Sequence, residues 1–168
     1  MNSVQELWWR QARSDFAVFE TLRRNNVDPC HLLHYLQMAT EKLGKAYLWR
    51  SGKPLLMTHA RFVSFIRALA DRSESELPRI AKTLGFSGSK EFRAWARADL
   101  RLAYDLQKVS PALASDGPNC EYPWPYAAPT ECPVGYIFSV WEELRNTGRG
   151  RKLMQFIRKA ILSFDEIA

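Results

Sequence analysis

The sequence has no long apolar run, and it contains few cysteines. No segment approaches the roughly 18 consecutive apolar residues that a membrane-spanning helix requires. The N-terminus carries Glu6 where a secretion signal has a basic end followed by an apolar run. Only three cysteines occur, with no Cys-x-x-Cys pair, so reduced thiols are expected. These absences argue against a membrane protein or a disulfide-stapled secreted domain, and they predict a cytoplasmic location.

Histidine is also scarce, which limits the possible metal sites. Cys30, His31 and His34 stand close together, and histidines at i and i+3 share one face of a helix. Further ligands would have to come from Cys120 and Cys132, which are distant in the sequence. Polar residues at the start of a helix explain the group more simply. The sequence therefore predicts no bound metal and no cofactor.

Basic residues are missing from one long segment and abundant elsewhere. Lysine and arginine number 24 against 18 aspartates and glutamates, which gives a net charge of +6. Residues 109–144 contain no basic residue, so the positive charge lies before and after this acidic segment. Such a balance is compatible with a nucleic-acid or other polyanionic partner, although it is also typical of a chain with a solvated positive face.

The first fifty residues predict two long antiparallel helices. Apolar side chains recur at helical spacing after Ser3, and Ser3 and Glu6 have the spacing of a capping box. Asp28 and Pro29 have the order of an N-cap and a first helical residue. The short turn between the helices makes a hairpin. The two apolar faces are expected to pack together, with Leu32, Leu36, Ala39 and Leu43 on Val4, Trp8, Ala12 and Phe19.

Helical periodicity continues along most of the chain, and strand patterns are nearly absent. The expected helices cover residues 3–26, 29–50, 59–71, 75–84, 89–108, 134–146 and 149–164. The second helix is expected to stop at residues 51–54. Residues 109–133 hold six of the nine prolines, which exclude a regular helix there, and their aromatic rings are expected to cover the bundle. We therefore predict an all-α, single-domain bundle over 1–168, with about five main helices, short ones, and a Pro/aromatic-rich loop at 109–133.

Several motifs carry a resemblance to a known family. The second helix carries a glutamine, a small residue, a Glu-Lys pair and a further lysine, at Gln37, Ala39, Glu41, Lys42 and Lys45. The first helix has Ala12 followed by Asp15, and a Tyr-Pro segment lies in Asn119–Pro123. This pattern resembles the HEPN (higher eukaryotes and prokaryotes nucleotide-binding) family. The resemblance implies an antiparallel helical bundle that is frequently a homodimer, is partnered with a nucleotidyltransferase or an antitoxin, and acts in prokaryotic defence or toxin–antitoxin systems.

The catalytic mark of the family is missing from its usual place. Many members are metal-independent endoribonucleases with an Arg followed after four to six residues by a His, late in the fold. No histidine follows His59 here, and only Arg24 and His31 have a comparable spacing. An imidazole base and a guanidinium cation suit RNA cleavage chemically. We expect a non-catalytic module that binds a partner protein, a nucleotide or a nucleic acid, and the alternative is an endoribonuclease toxin that uses Arg24 and His31.

Two further groups of polar residues are candidate binding sites. A basic stripe at helical spacing consists of Lys90, Arg93, Arg97 and Arg101. It either tracks phosphates or forms a solvated face that is partly balanced by Asp105. A polar patch consists of Asp15, Gln37, Glu41, Lys42 and Lys45. The patch either lines a dimer seam or ligand cleft, or it has structural roles.

The structural roles predicted for the patch differ from residue to residue. A carboxylate in an apolar stripe is costly unless it is paired, so Asp15 is expected to tie the first helix to Lys42 or Lys45 on the second. Glu41 and Lys45 have the spacing of an exposed i,i+4 pair. The rings of Tyr122, Trp124 and Tyr126 are expected to cover the bundle, and base stacking is the alternative.

Overall fold

The computed structural model describes residues 1–51 and 59–168, and the structure within these ranges is helical. The α-helices of the described ranges are α1 (Ser3–Arg24), α2 (Pro29–Leu48), α3 (Phe62–Ala70), α4 (Leu77–Thr83), α5 (Ser89–Ala98), α6 (Leu100–Lys108), α7 (Ser139–Asn146), α8 (Gly148–Leu162) and α9 (Phe164–Ile167). Short 3-10 turns follow α2 and α6. The predicted all-α class is confirmed. The expected helix stop at residues 52–54 lies outside the described residues.

The two long N-terminal helices form the predicted antiparallel hairpin. Asp28 caps α2 by accepting a hydrogen bond from the backbone N–H of Cys30 at 3.2 Å, as expected. The capping box of α1, however, is formed by Asn2 and Gln5, so the prediction of Ser3 and Glu6 is wrong by one residue. Both pairs have the required spacing, and the asparagine side chain is as good a cap as serine.

The predicted apolar seam lies at the centre of the hairpin. Its α2 members and the Ala12 and Phe19 side chains are almost or fully buried. Val4 and Trp8 are only half-buried, so they lie at the edge of the seam. Near the start of α1, the Nε1–H of Trp9 donates a hydrogen bond to the carbonyl of Ile161 at 2.8 Å. This bond ties α1 to the end of α8.

The predicted helix over residues 89–108 is two helices that are separated at Asp99. Arg149, at the start of α8, lies 3.2 Å from Oδ1 of Asp99 through its Nε. Aspartate is a poor residue for a helix interior because its side chain competes with the backbone for hydrogen bonds. The break therefore coincides with an ion pair between distant parts of the chain, which helical periodicity does not reveal.

Several other boundaries differ from the predictions by a few residues. α3, α4 and α7 begin later than expected, the last predicted helix corresponds to α8, and the short α9 follows it. Before α4, which begins at Leu77, the Ser73 hydroxyl donates a hydrogen bond to the Glu76 carboxylate. After the end of α4, Gly85 adopts a positive φ of +87°, which glycine tolerates. Within the described ranges, none of the helices is both long and apolar enough to cross a bilayer.

The Pro/aromatic-rich segment folds back onto the helices, as predicted. Trp124 is buried and meets the ring of Tyr136 edge-on, with 5.0 Å between the ring centroids. The buried Asn119 side chain accepts hydrogen bonds from the backbone N–H groups of Glu121 and Tyr122. The rings of Tyr122 and Tyr126 are exposed, so the expectation that they cover the bundle is wrong for these two residues.

Candidate functional site

A pocket lies between α1, α7 and α8. It has a volume of about 570 Å³, which is in the range of small-molecule and cofactor sites. Phe19 and Leu144 are buried in its floor, and the edge of Trp141 meets the Phe19 ring at a centroid distance of 6.5 Å. Met154 of α8 is a further apolar residue of the lining. The floor therefore offers an apolar surface to a ring.

The rim of this pocket is strongly basic. Four arginines, Arg23, Arg145, Arg151 and Arg158, line it together with one acidic residue, Glu20. Arg23 is 3.1 Å from the Glu20 carboxylate. Arg145 is 3.4 Å from Glu142. Within residues 1–51 and 59–168, Arg151 and Arg158 make no ion pair with an acidic side chain, so two guanidinium groups remain for an anion.

The crossing of α7 and α8 places these arginines around one opening. Thr147 caps α8 by accepting a hydrogen bond from the Gly150 N–H at 2.9 Å. A Cβ atom on Gly150 would collide with backbone oxygen atoms of α7. Only glycine allows such a close approach of two backbones. The tight corner holds Arg145 of α7 beside Arg151 of α8.

The predicted basic stripe has fewer side chains available to bind phosphates than its sequence pattern indicated. The break at Asp99 divides it between α5 and α6. The Arg93 guanidinium donates to the carbonyls of Ala70 and Arg72 and pairs with Glu74, so it binds the end of α3. Arg101 is 3.7 Å from Asp105. Lys90 and Arg97 are exposed.

The candidate catalytic pair lies at the turn of the hairpin without a contact between its members. Arg24 and His31 are both exposed, and no hydrogen bond joins them in the part of the chain that the structure describes. The neighbouring Asp28 carboxylate is engaged by the N–H groups of Gly135 and Cys30. Its pKa is lowered, since these hydrogen bonds and the nearby His31 outweigh the opposing effect of burial. The turn is therefore organised around a helix cap.

The predicted tie between the first two helices is present. Lys42 Nζ lies 2.5 Å from Oδ2 of Asp15, and both side chains are largely buried. Gln11 donates to the other oxygen of Asp15 at 3.0 Å. Both carboxylate oxygens of Asp15 are thus satisfied, which explains how an acidic residue is accommodated in the apolar stripe.

Glu41 and Lys45 form a buried network, so the prediction of an exposed pair is wrong. The Glu41 side chain is 4% exposed and accepts hydrogen bonds from Lys45, from Gln37 at 3.1 Å and from Nδ1 of His59 at 2.7 Å. Burial raises the pKa of Glu41, but these hydrogen bonds outweigh it, and the net pKa is lowered. Lys45 also lies 4.9 Å above the Trp8 ring. Glu41 is therefore a buried carboxylate.

His59 is the member of this network that faces solvent. Its side chain is 44% exposed, although Nδ1 is held by the buried Glu41. A buried carboxylate that orients an accessible imidazole is an arrangement found around general bases. Sequence reasoning did not select His59 as a candidate, because its partner Glu41 lies on another element.

No protein-family model, curated protein or solved structure matches this chain significantly. The pocket arginines were also missed by sequence reasoning. One usable signal was present: Arg151 and Arg158 lie two turns apart on one side of a helix whose other side is apolar.

Proposed function

We propose that this chain is a non-catalytic, HEPN-like helical module that binds the phosphate of a nucleotide in the pocket between α1, α7 and α8. The observation that carries the proposal is the ring of four arginines around an apolar floor. Arginine binds phosphate through a planar, bidentate fork and keeps its charge at all physiological pH values. The net positive charge of the chain supports the same class of ligand.

The pocket chemistry suits both parts of a nucleotide. Arg151 and Arg158 supply the charge for the phosphate, while Trp141 and Met154 supply apolar surface for the base. Stacking of a base on apolar or aromatic side chains adds affinity without strict sequence selectivity. The source of the nucleotide is either a free mononucleotide or an RNA strand, since the phosphate and the base are the same in both.

Fluorescence anisotropy of a labelled, short single-stranded RNA, with unlabelled ADP as competitor, tests the proposal. Arg151→Gln and Arg158→Gln are expected to weaken binding, and each is expected to reduce the slope of log affinity against log salt by about 0.7 for a single strand. The matched control is Arg10→Gln, which removes the same charge from an exposed position on α1. Competition by ADP identifies a mononucleotide site, whereas RNA binding that ADP does not compete away identifies a strand-binding site.

The proposal fails if the control weakens binding as much as the pocket variants do. It also fails if Arg97→Gln, on the basic stripe, is the only change that weakens binding. In that case the exposed part of α5 is the phosphate-binding surface.

An endoribonuclease is the second candidate function, and the His59–Glu41 contact favours it. In RNA cleavage, an imidazole removes the proton of the 2′-hydroxyl, and a carboxylate behind it fixes the ring orientation. Nδ1 of His59 has such a carboxylate at 2.7 Å, and no carboxylate of residues 1–51 or 59–168 makes a hydrogen bond to His31. The candidate base for this alternative is therefore His59.

Single-turnover cleavage of a structured RNA distinguishes the two functions. The comparison uses the unmodified protein, His59→Ala and His31→Ala. We expect only trace cleavage that is equal in all three. Robust cleavage that disappears in His59→Ala and persists in His31→Ala would replace the binding module by a ribonuclease.

A further inference from the structure

Three potential metal ligands from distant parts of the chain meet beside the first turns of α2. They are His34 of α2 and Cys120 and Glu121 of the Pro/aromatic-rich segment. One ligand atom from each residue lies within 4.8 Å of the other two. Nδ1 of His34 is 3.3 Å from Oε1 of Glu121. The set combines nitrogen, sulfur and oxygen donors, which is the chemistry of a zinc site.

The hydrogen bonding of this cluster is incomplete. Nδ1 of His34 is buried and makes no hydrogen bond within the part of the chain that the structure describes, although Oε1 of Glu121 lies 3.3 Å away. Buried polar atoms without a partner are rare in folded proteins, and an absent ion is one explanation for them. The Cys120 thiol is 5% exposed by residue and donates only to the carbonyl of Val109, at 3.2 Å.

We propose that His34, Cys120 and Glu121 bind a zinc ion. These residues fill three of the four tetrahedral positions, and the fourth is left to a water molecule, as in other zinc sites with three protein ligands. Zinc bonds of about 2.0–2.3 Å place neighbouring ligand atoms about 3.5 Å apart. Nδ1 of His34 and Oε1 of Glu121 are already 3.3 Å apart, and all three ligand atoms lie within 4.8 Å of one another, so only small side-chain movements are needed. The reaction is a proton exchange: the Cys120 thiol gives its proton to solvent, the thiolate sulfur bonds to the metal, and no electron is transferred.

The site would fasten the Pro/aromatic-rich segment to α2. The position of the site in the fold also explains why the sequence analysis predicted no metal. That prediction rested on the isolation of Cys120 in the sequence, whereas the fold brings Cys120 next to His34. The group considered from the sequence also included His31, which is exposed and lies outside the cluster.

Metal analysis of the purified full chain, followed by zinc titration of the chelator-treated protein, tests the proposal. We expect one zinc ion per chain. His34→Gln and Cys120→Ala are each expected to lower zinc affinity by more than about 100-fold, because even second-shell changes cost 10–100-fold. The matched control, His31→Gln, is expected to retain the affinity of the unmodified protein.

Cobalt provides a readout that does not depend on folding stability. Cobalt bound at this site is expected to show thiolate-to-metal charge-transfer absorption in the unmodified protein and in His31→Gln, and to lose it in Cys120→Ala. Circular dichroism of each variant verifies that the helices are intact. A chain that neither contains zinc nor takes it up would overturn the proposal, and so would His34→Gln that binds zinc like the control.

Discussion

Replacing Lys45 by methionine removes a buried cation and keeps a long, flexible side chain. Glu41 and Lys45 are 4% and 7% exposed, so they form a buried ion pair rather than a surface pair. Removing one partner of such a pair costs about 3–5 kcal/mol, because the other charge is left uncompensated. Gln37 and His59 still contact Glu41 in the variant. We therefore expect a loss in unfolding free energy of about 3 kcal/mol at pH 7.

The pH dependence of this loss follows from the lowered pKa of Glu41. Burial acts to raise this pKa, but the hydrogen bonds from Lys45, Gln37 and His59 hold it below the ordinary value of 4.5. A carboxyl group whose pKa is lowered by folding stabilises the protein above its unfolded pKa, and this contribution disappears as the pH falls through the folded pKa. The difference between the unmodified protein and Lys45→Met is thus largest at neutral pH and narrows below about pH 4.5.

Urea unfolding followed by far-ultraviolet circular dichroism, at pH 7 and pH 4, measures both effects. The double variant Glu41→Gln/Lys45→Met is expected to recover part of the loss, because it leaves no unpaired charge. Lys90→Met, at an exposed position of α5, is the matched control. A loss below about 1 kcal/mol at pH 7, with no recovery in the double variant, would refute the buried network, since an exposed pair gives that result.

Three further predictions concern the fold. Leu36→Ala is expected to reduce the unfolding free energy by about 2–5 kcal/mol in urea titrations, because Leu36 is fully buried. Gly150→Ala is expected to cost about 1–3 kcal/mol and to weaken RNA binding, whereas Gly148→Ala, whose added Cβ would meet only the Arg151 side chain at 3.9 Å, keeps both properties. Asp28→Ala is expected to cost about 1 kcal/mol at pH 7 through loss of the helix cap, and this loss is expected to shrink below pH 3.8, since folding lowers the pKa of Asp28.

Local sequence signals were sufficient for the hairpin and insufficient for the later helices. Asp28, Pro29 and the apolar spacing of α2 act within a few residues of one another, so the start of that helix was predictable. The break at Asp99 involves Arg149, fifty residues away, and helical periodicity carries no information about such a partner. Tertiary contacts therefore accompany the helix boundaries that the sequence predicted least well.

Local sequence signals were also insufficient for the candidate sites. The charged residues of the polar patch form buried ion pairs, but periodicity placed Glu41 at the surface, and the contact with His59 that accompanies its burial is not visible in the pattern. The pocket arginines come from both ends of the chain, at Arg23 and Arg158. His34 and Cys120 meet only because the Pro/aromatic-rich segment folds back. Each of these sites depends on the packing of distant segments.

The cations of α8 show why net charge alone does not locate a binding surface. Arg149 pairs with Asp99, and Lys152 binds the carbonyl of Gly85 and the Glu91 carboxylate, so this side of α8 is neutralised by α5 and its neighbours. Residue 151 is rotated about 200° from residue 149 around a helix of 3.6 residues per turn. Arg151 and Arg158 therefore lie on the opposite side, where they line the pocket. One helix thus separates cations that hold the fold together from cations that remain for an anionic ligand.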